Sequence, residues 1–205
     1  MVDLQEQTAD RGGANYRSSL HSAIRGLWSG AMDDIQAFEV FMLSIRDGFT
    51  RAYRDGSAEV GIVPADWTVQ ERQWLEQKTR EEIGFIDGFL NAIIAGSKAN
   101  GGKLAPLFNR AELWVQRYLE VYTQGMLTAK TDPKLLWVWD PAAEHCPSCA
   151  ALQGKIKRQS QWQAAGLYPQ APVLACMQSA GGITVCKCHF EVTTDPATRG
   201  PLPRI

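Results

Sequence analysis

All five cysteines of this 205-residue chain fall between Cys146 and Cys188. Their order is Cys146-Pro147-Ser148-Cys149, then Cys176, then Cys186-Lys187-Cys188. A Cys-x-x-Cys turn sets two thiolates on one side of a tight loop. Zinc takes four ligands at tetrahedral angles, about 2.3 Å away when they are sulfur. A second pair from a distant hairpin completes a site of this kind. In a strand, Cys186 and Cys188 would point the same way, because side chains alternate with a period of two. The spacing therefore nominates Cys146, Cys149, Cys186 and Cys188 as ligands of a structural Zn2+, with Cys176, His145 and His189 in reserve. Three rival readings stay open: two disulfides with one free thiol, thiols buried as small apolar groups, and a redox or nucleophilic Cys146. The last requires the motif to open a helix that lowers the thiol pKa. Pro141 and the Gly154-Lys155 turn leave little room for a long helix there.

Other catalytic patterns do not assemble. Zinc deaminases place His-x-Glu before a Pro-Cys-x-x-Cys, whereas His189-Phe190-Glu191 follows the cysteine pair and Pro147 lies inside it. There is no His-Glu-x-x-His and no phosphate-cradling Gly-x-x-x-x-Gly-Lys. The chain is therefore expected not to be an enzyme. Lys155, Lys157 and Arg158 form a small basic group beside Trp162. It reads as a solvated loop or, alternatively, as a contact for phosphates or an acidic partner, with Trp162 stacking on bases. Three charges are few for that purpose, because affinity grows with the number of phosphates neutralised. The whole chain has 21 basic and 22 acidic residues, for a net charge of -1, unlike a strongly electrostatic nucleic-acid binder.

The elements that must position the cysteines are helical up to about residue 140. From Asp33 to Tyr53, apolar residues fall at Ile35, Phe38, Phe41/Met42, Ile45, Phe49 and Tyr53, which makes one helix face. Gly56 suits the end of this helix, over 33–54. Thr68-Val69-Gln70-Glu71 has the form of a capping box and starts a helix over 68–95 that carries Gly84 and Gly88, a sign of close packing or a bend. A third strong stripe, Leu107, Ala111, Trp114, Tyr118, Val121/Tyr122 and Gly125, predicts a helix over 106–129. A weaker pattern predicts another over 16–28. Leu135 to Trp139 reads as a strand. Ser160–Gly166 reads as one capped turn of helix, and Ile183–Val185 and Phe190–Val192 as short strands.

Composition places a boundary near Asp140-Pro141. Residues 1–140 carry 15 basic and 19 acidic residues, and residues 141–205 carry 6 and 3. With 45% hydrophobic residues the chain is expected to be globular. No apolar run is long enough to cross a membrane, and the polar, acidic start from Met1 to Asp10 does not read as a secretory signal. A cytoplasm-like compartment disfavours routine disulfides. The expected architecture is mainly α: an antiparallel helical bundle over 1–140, a small cysteine-rich β module over 141–195 and a Pro-rich tail over 196–205, extended on a partner or loose.

Trp137-x-Trp139, His145-Cys146-Pro147-Ser148-Cys149, Ala151-Leu152-Gln153-Gly154 and Cys186-Lys187-Cys188 together resemble the C-terminal module of tailed-phage head morphogenesis proteins, the minor head proteins of the Mu F type. Arg110–Trp114 and Tyr122–Gly125 resemble the stretch that precedes it, so the likeness spans roughly residues 105–192. Ile183-Thr184-Val185 stands where that family commonly has His-Pro before the last cysteine pair. The resemblance implies a non-catalytic virion component, assembled in the bacterial host cytoplasm in multiple copies of a symmetric assembly. It would associate with the portal or major capsid protein at the portal vertex, act in head morphogenesis, and touch packaged DNA. It also implies that Cys146, Cys149, Cys186 and Cys188 hold the family's cysteine positions. The alternative is a soluble zinc-binding adaptor that contacts nucleic acid through Lys155, Lys157, Arg158 and Trp162.

Overall fold

The computed structural model describes residues 4–128, 130–141, 145–178 and 187–205. Its helical part runs α1 (Leu4–Ser29), α2 (Asp34–Glu59), α3 (Val69–Ile83), α4 (Ile86–Ala95) and α5 (Ala105–Met126). A small sheet and short helices follow: β1 (Lys134–Val138), α6 (Pro147–Leu152), β2 (Ile156–Arg158), α7 (Gln159–Ala164), α8 (Ala175–Gln178) and β3 (His189–Val192). This is the expected mainly helical body with a small antiparallel sheet. The sheet order is β2-β1-β3. Because β1 is its central strand, the sheet module starts at Lys134, and the compositional shift at 140 falls inside it. No described helix is long and apolar enough to cross a membrane.

The bundle forms because α1, α2 and α5 each turn one apolar stripe inward. Tyr16, Leu20, Ala23, Ile24 and Leu27 of α1 are buried, so the first helix is a full member of the core and much longer than 16–28. In α2 the buried stripe is Ala37, Phe41, Ile45, Phe49, Ala52, Tyr53 and Gly56. Ile35, expected on that stripe, is 68% exposed and sits at the helix start instead. Asp33 caps α2 by accepting from the Gln36 amide at 2.7 Å, while Gln36 Oε1 accepts from the Asp33 amide at 3.1 Å. The α5 stripe is buried throughout, as the spacing predicts. Phe41, Phe89 and Trp114 pack ring against ring at the centre, with centroids 5.1–5.7 Å apart. Arg17 of α1 grips Glu112 of α5 with Nε–Oε1 at 2.9 Å and Nη2–Oε2 at 3.0 Å.

The end of α2 and the helix expected over 68–95 also differ from expectation. Gly56 does not end α2. The helix continues to Glu59 because Gly56 lies against α5, where an added Cβ would stand 2.0 Å from the Tyr122 carbonyl oxygen. Gly125 makes the reciprocal approach, 2.4 Å from the Tyr53 carbonyl oxygen. The helix expected over 68–95 is two helices, broken at Gly84-Phe85. There the Phe85 amide donates to the Glu82 carbonyl at 3.2 Å and the chain restarts at Ile86. The capping box at Thr68 forms as expected, with the Glu71 amide donating to Thr68 Oγ1 at 3.2 Å.

Helix α3 is largely polar and is fastened by charge as well as by packing. Lys78 reaches Glu120 of α5 at 3.2 Å, and Arg117 of α5 reaches the buried Glu82 at 3.2 Å. Burial pushes the Glu82 carboxyl above its ordinary value, with Arg117 and Lys78 opposing. A carboxyl raised on folding contributes stability that is full below the unfolded value of about 4.3. That contribution is lost as pH rises through the folded value. Glu82→Gln keeps the neutral form at every pH. Its stability at pH 7 is expected to equal or exceed that of the parent, with a flatter profile above about pH 4. Urea unfolding at both ends of that range checks this; a variant clearly weaker at pH 7 would mean that the ion pairs outweigh burial.

Candidate metal centre

The cysteine module is built on β1. Alternation along the strand buries Leu135 and Trp137 on one face. Trp137 packs on Trp162 of α7 at 5.7 Å and edge-on to Phe190 of β3 at 5.5 Å, and Trp162 Nε1 donates to the Leu135 carbonyl at 3.1 Å. These three aromatic residues form the interior that the short strands cannot supply by backbone alone. The chain returns from α6 to β2 through Gly154, whose φ of +73° is the left-handed region that glycine enters without strain. The Gly154 amide donates to the Trp137 carbonyl at 3.0 Å, and the Trp137 amide to the Lys155 carbonyl at 2.9 Å.

This frame presents the thiols. Cys146 is the N-cap of α6, with extended backbone, and its Sγ accepts from the Cys149 amide at 3.3 Å. Pro147 follows at the first helical position, where its fixed φ suits the helix and its missing N–H is not needed. One turn of helix then brings Cys149 back beside Cys146. Ser148, between them, accepts from the Ala175 amide at 3.1 Å and so anchors the start of α8. Cys176 comes next on α8. The sulfurs of Cys146, Cys149 and Cys176 all lie within 4.8 Å of one another. Cys149 and Cys176 are buried, and Cys146 is partly exposed. Burial raises the Cys146 thiol, but hydrogen bonds from Cys149 and Cys176 outweigh it, so the thiol lies below its ordinary value. Three convergent sulfurs, one of them favoured as thiolate, are a donor set for a soft metal ion.

The residues nominated from sequence divide accordingly. Cys146 and Cys149 meet as expected, and Cys176, held in reserve, is their third partner. Cys188 is buried just before β3 but is not one of the three sulfurs within 4.8 Å. Cys186 lies outside the described residues, as does the expected strand Ile183–Val185. Neither histidine stands among the three thiols. His145 stacks on Trp139 with ring centroids 4.2 Å apart, and His189 Nε2 faces Glu191 Oε1 at 3.2 Å. No spacing rule singles out Cys176. The Ser148–Ala175 hydrogen bond and the hydrogen bonds from Cys176 to Cys146, contacts between residues far apart in sequence, bring it there.

The basic group has other employment. Lys157 lies on β2 and is buried, and its Nζ donates to the Thr198 carbonyl at 2.7 Å and also to the Gly200 carbonyl. Trp162 is fully buried and cannot stack on bases. Arg158 donates to the Asp132 carbonyl at 3.0 Å. The expected loop is therefore a strand, and Lys157 and Trp162 are corrected from contact residues to structural ones. The tail is corrected as well, since it lies on its own chain. The Thr198 amide donates to the Ile156 carbonyl at 2.9 Å, Thr198 Oγ1 accepts from the Ile156 amide at 2.9 Å, and Lys134 Nζ donates to the Thr194 and Asp195 carbonyls. The tail thus covers the free edge of β2.

Deleting residues 196–205 is expected to remove the carbonyls that satisfy the Lys157 ammonium and to cost about 2–3 kcal/mol, the scale of a hydrogen bond to a charged group plus lost edge pairing. Amide exchange at Ile156 should accelerate, while that of the core of α2 should not. An unchanged Ile156 amide would show that the tail does not hold the edge.

Comparison with protein-family models, with curated proteins and with solved structures finds no match to this chain.

Proposed function

We propose that this protein is a non-catalytic structural component of a tailed-phage virion. In this reading it is a minor head protein at the portal vertex that acts in head morphogenesis, with its C-terminal module pinned by a structural Zn2+. The observation that carries the reading is the convergence of Cys146, Cys149 and Cys176 within 4.8 Å, on the segment that bears the resemblance to that family. Trp137 of β1, the Cys146–Cys149 turn and Gly154 form one continuous packed unit, and Trp114, Tyr122 and Gly125 lie on the buried face of α5. A thiolate set closed by a fourth protein ligand suits a structural zinc, whereas a catalytic zinc keeps one position open for water or substrate. Zinc suits the site because thiolates select soft or borderline ions and zinc brings no redox chemistry. The helical body would supply the faces that meet a portal or capsid subunit. The nucleic-acid adaptor reading loses two of its four residues to the interior.

The test is co-purification. The tagged full chain, expressed with the portal and major capsid proteins of the phage that encodes it, is expected to recover one of them at fixed stoichiometry. Recovery of neither would overturn the virion reading. Metal analysis of the reduced chain is expected to find about one zinc per chain.

A further inference from the structure

We infer that the thiolate centre takes its fourth ligand from the β3 arm, at Cys188, and that Ser148 is the positioning residue that brings Cys176 into it. This rests on the metal-site reading above and fixes its ligand set as Cys146, Cys149, Cys176 and Cys188. Cys186 is left out of the set.

The register places Cys188. Trp137 pairs with Phe190 and Val138 with His189, and continuing that register by one step would set Trp139 opposite Cys188. Side chains two apart share a face, so Cys188 lies on the same side of β3 as Phe190, whose ring packs on Trp137 and Trp162. On β1 the same rule puts Trp139 on the face of Trp137. His145 stacks on Trp139, and Cys146 is the next residue. The inner face of the sheet therefore carries the Trp137–Phe190 pair, Trp139 and Cys188 follow just beyond its end, and His145, the residue before Cys146, stacks on Trp139. Two further contacts tie these segments together. Lys187 Nζ lies 3.3 Å from Asp140 Oδ2, which sets the residue before Cys188 against the residue that follows Trp139. Gln153 Oε1, at the end of α6, accepts from the Trp139 amide at 2.8 Å. Cys188 is 3% exposed, as a ligand of a closed site must be.

Geometry also says what binding does. Four sulfurs about 2.3 Å from one zinc stand about 3.8 Å from one another. The three sulfurs already lie within 4.8 Å of one another, so they contract modestly, and Cys188 closes on them from the β3 side. The ion then joins α6, α8 and β3. Ser148 acts without touching the metal, because its Oγ holds the Ala175 amide and thereby fixes the residue before Cys176.

The experiment uses the full reduced chain, with Co2+ as a spectroscopic probe and Zn2+ in competition. The parent is expected to give the intense sulfur-to-cobalt charge-transfer bands of a tetrahedral four-thiolate site. Cys176→Ser and Cys188→Ser should each remove one thiolate's share of that intensity and weaken Zn2+ binding by at least about 100-fold. Cys186→Ser should leave both within about twofold. Ser148→Ala should keep the four-thiolate spectrum but weaken affinity about 10-fold, the scale of an outer-shell partner, and Ser148→Thr should restore it. Loss of binding in Cys186→Ser with retention in Cys188→Ser would overturn the ligand assignment while leaving the metal reading intact. A three-thiolate spectrum in the parent, or an unaltered affinity in Ser148→Ala, would overturn the corresponding half. A parent that binds neither ion defeats the metal-site reading itself.

Discussion

Gly56→Ala is expected to cost about 3 kcal/mol, at the upper end of the range for overpacked sites, and Gly125→Val more. The reason is the distance between two backbones. A methyl on Gly56 would stand 2.0 Å from the Tyr122 carbonyl oxygen and 3.3 Å from the Met126 amide nitrogen. A methyl on Gly125 would stand 2.4 Å from the Tyr53 carbonyl oxygen and 2.9 Å from the Ser57 amide nitrogen. These neighbours are main chain, so no rotamer change relieves the clash, and α2 and α5 must separate. Separation loosens Phe41 and Trp114, which pack on each other across that interface with centroids 5.6 Å apart. For a chain of this size the Ala change should lower the midpoint of thermal unfolding by about 6–12 °C, at 2–4 °C per kcal/mol. Gly88→Ala is the matched control. It also sits inside a helix, but an added methyl meets nothing within 4 Å, so it should stabilise by about 0.5–1 kcal/mol. Equal effects at Gly56 and Gly88 would mean that helix propensity, and not the crossing, governs Gly56.

That glycine pair also marks the limit of what a sequence discloses. Periodicity found the stripes of α2 and α5, because an apolar face must be buried whatever covers it. It could not say which stripe meets which, so a glycine that lets two helices touch reads the same as one that ends a helix. Ile35 errs in the opposite direction: it fits the spacing but lies in the first turn of α2 and is exposed. The break at Gly84-Phe85 was foreshadowed by the glycine alone. The apolar stripe runs on through it from Leu75 to Ile93, because α3 and α4 bury the same side.

At the site, local motifs were legible and long-range ones were not. Cys146 and Cys149 are set together by one turn of helix, so their spacing suffices to pair them. Cys176 joins beside Ala175, whose amide donates to Ser148 Oγ across 27 positions, which no spacing expresses. Lys157 shows the same limit. Three nearby cations read as a solvated loop, yet the middle one alternates inward on β2 and meets carbonyls of a tail that begins after β3. Charge patterns report composition, whereas burial depends on which distant segment returns to the strand.

If the thiol centre holds the proposed zinc, chelation in the reduced full chain is expected to open α6 and α8 and to leave the rest of the fold standing. Helices of six and four residues fall far below the roughly 12–15 needed for even marginal stability in isolation. Their own buried residues are few, mainly Cys149, Leu152 and Cys176. A structural zinc contributes about 10–16 kcal/mol of apparent binding energy in small peptides at neutral pH, above the roughly 5–9 kcal/mol that those three side chains supply together at about 1.5–3 kcal/mol each. The sheet is different, because Trp137, Trp162 and Phe190 are all nearly or fully buried against one another and hold β1 to α7 and β3 without the thiols. Amide exchange separates the two parts. The Ala150 and Gln153 amides, which donate to the Cys146 and Cys149 carbonyls at 3.0 Å, should lose at least about 100-fold of protection, or about 2.8 kcal/mol. The Trp137 amide and the core of α2 should keep theirs, and Cys149→Ser should reproduce the pattern without chelator. Unaltered protection at Ala150 and Gln153, with no metal released, would mean that apolar packing alone holds the thiols together. If Trp137 exchanged as fast as Ala150, the metal would instead be holding the whole module, and the aromatic interior could not stand without it.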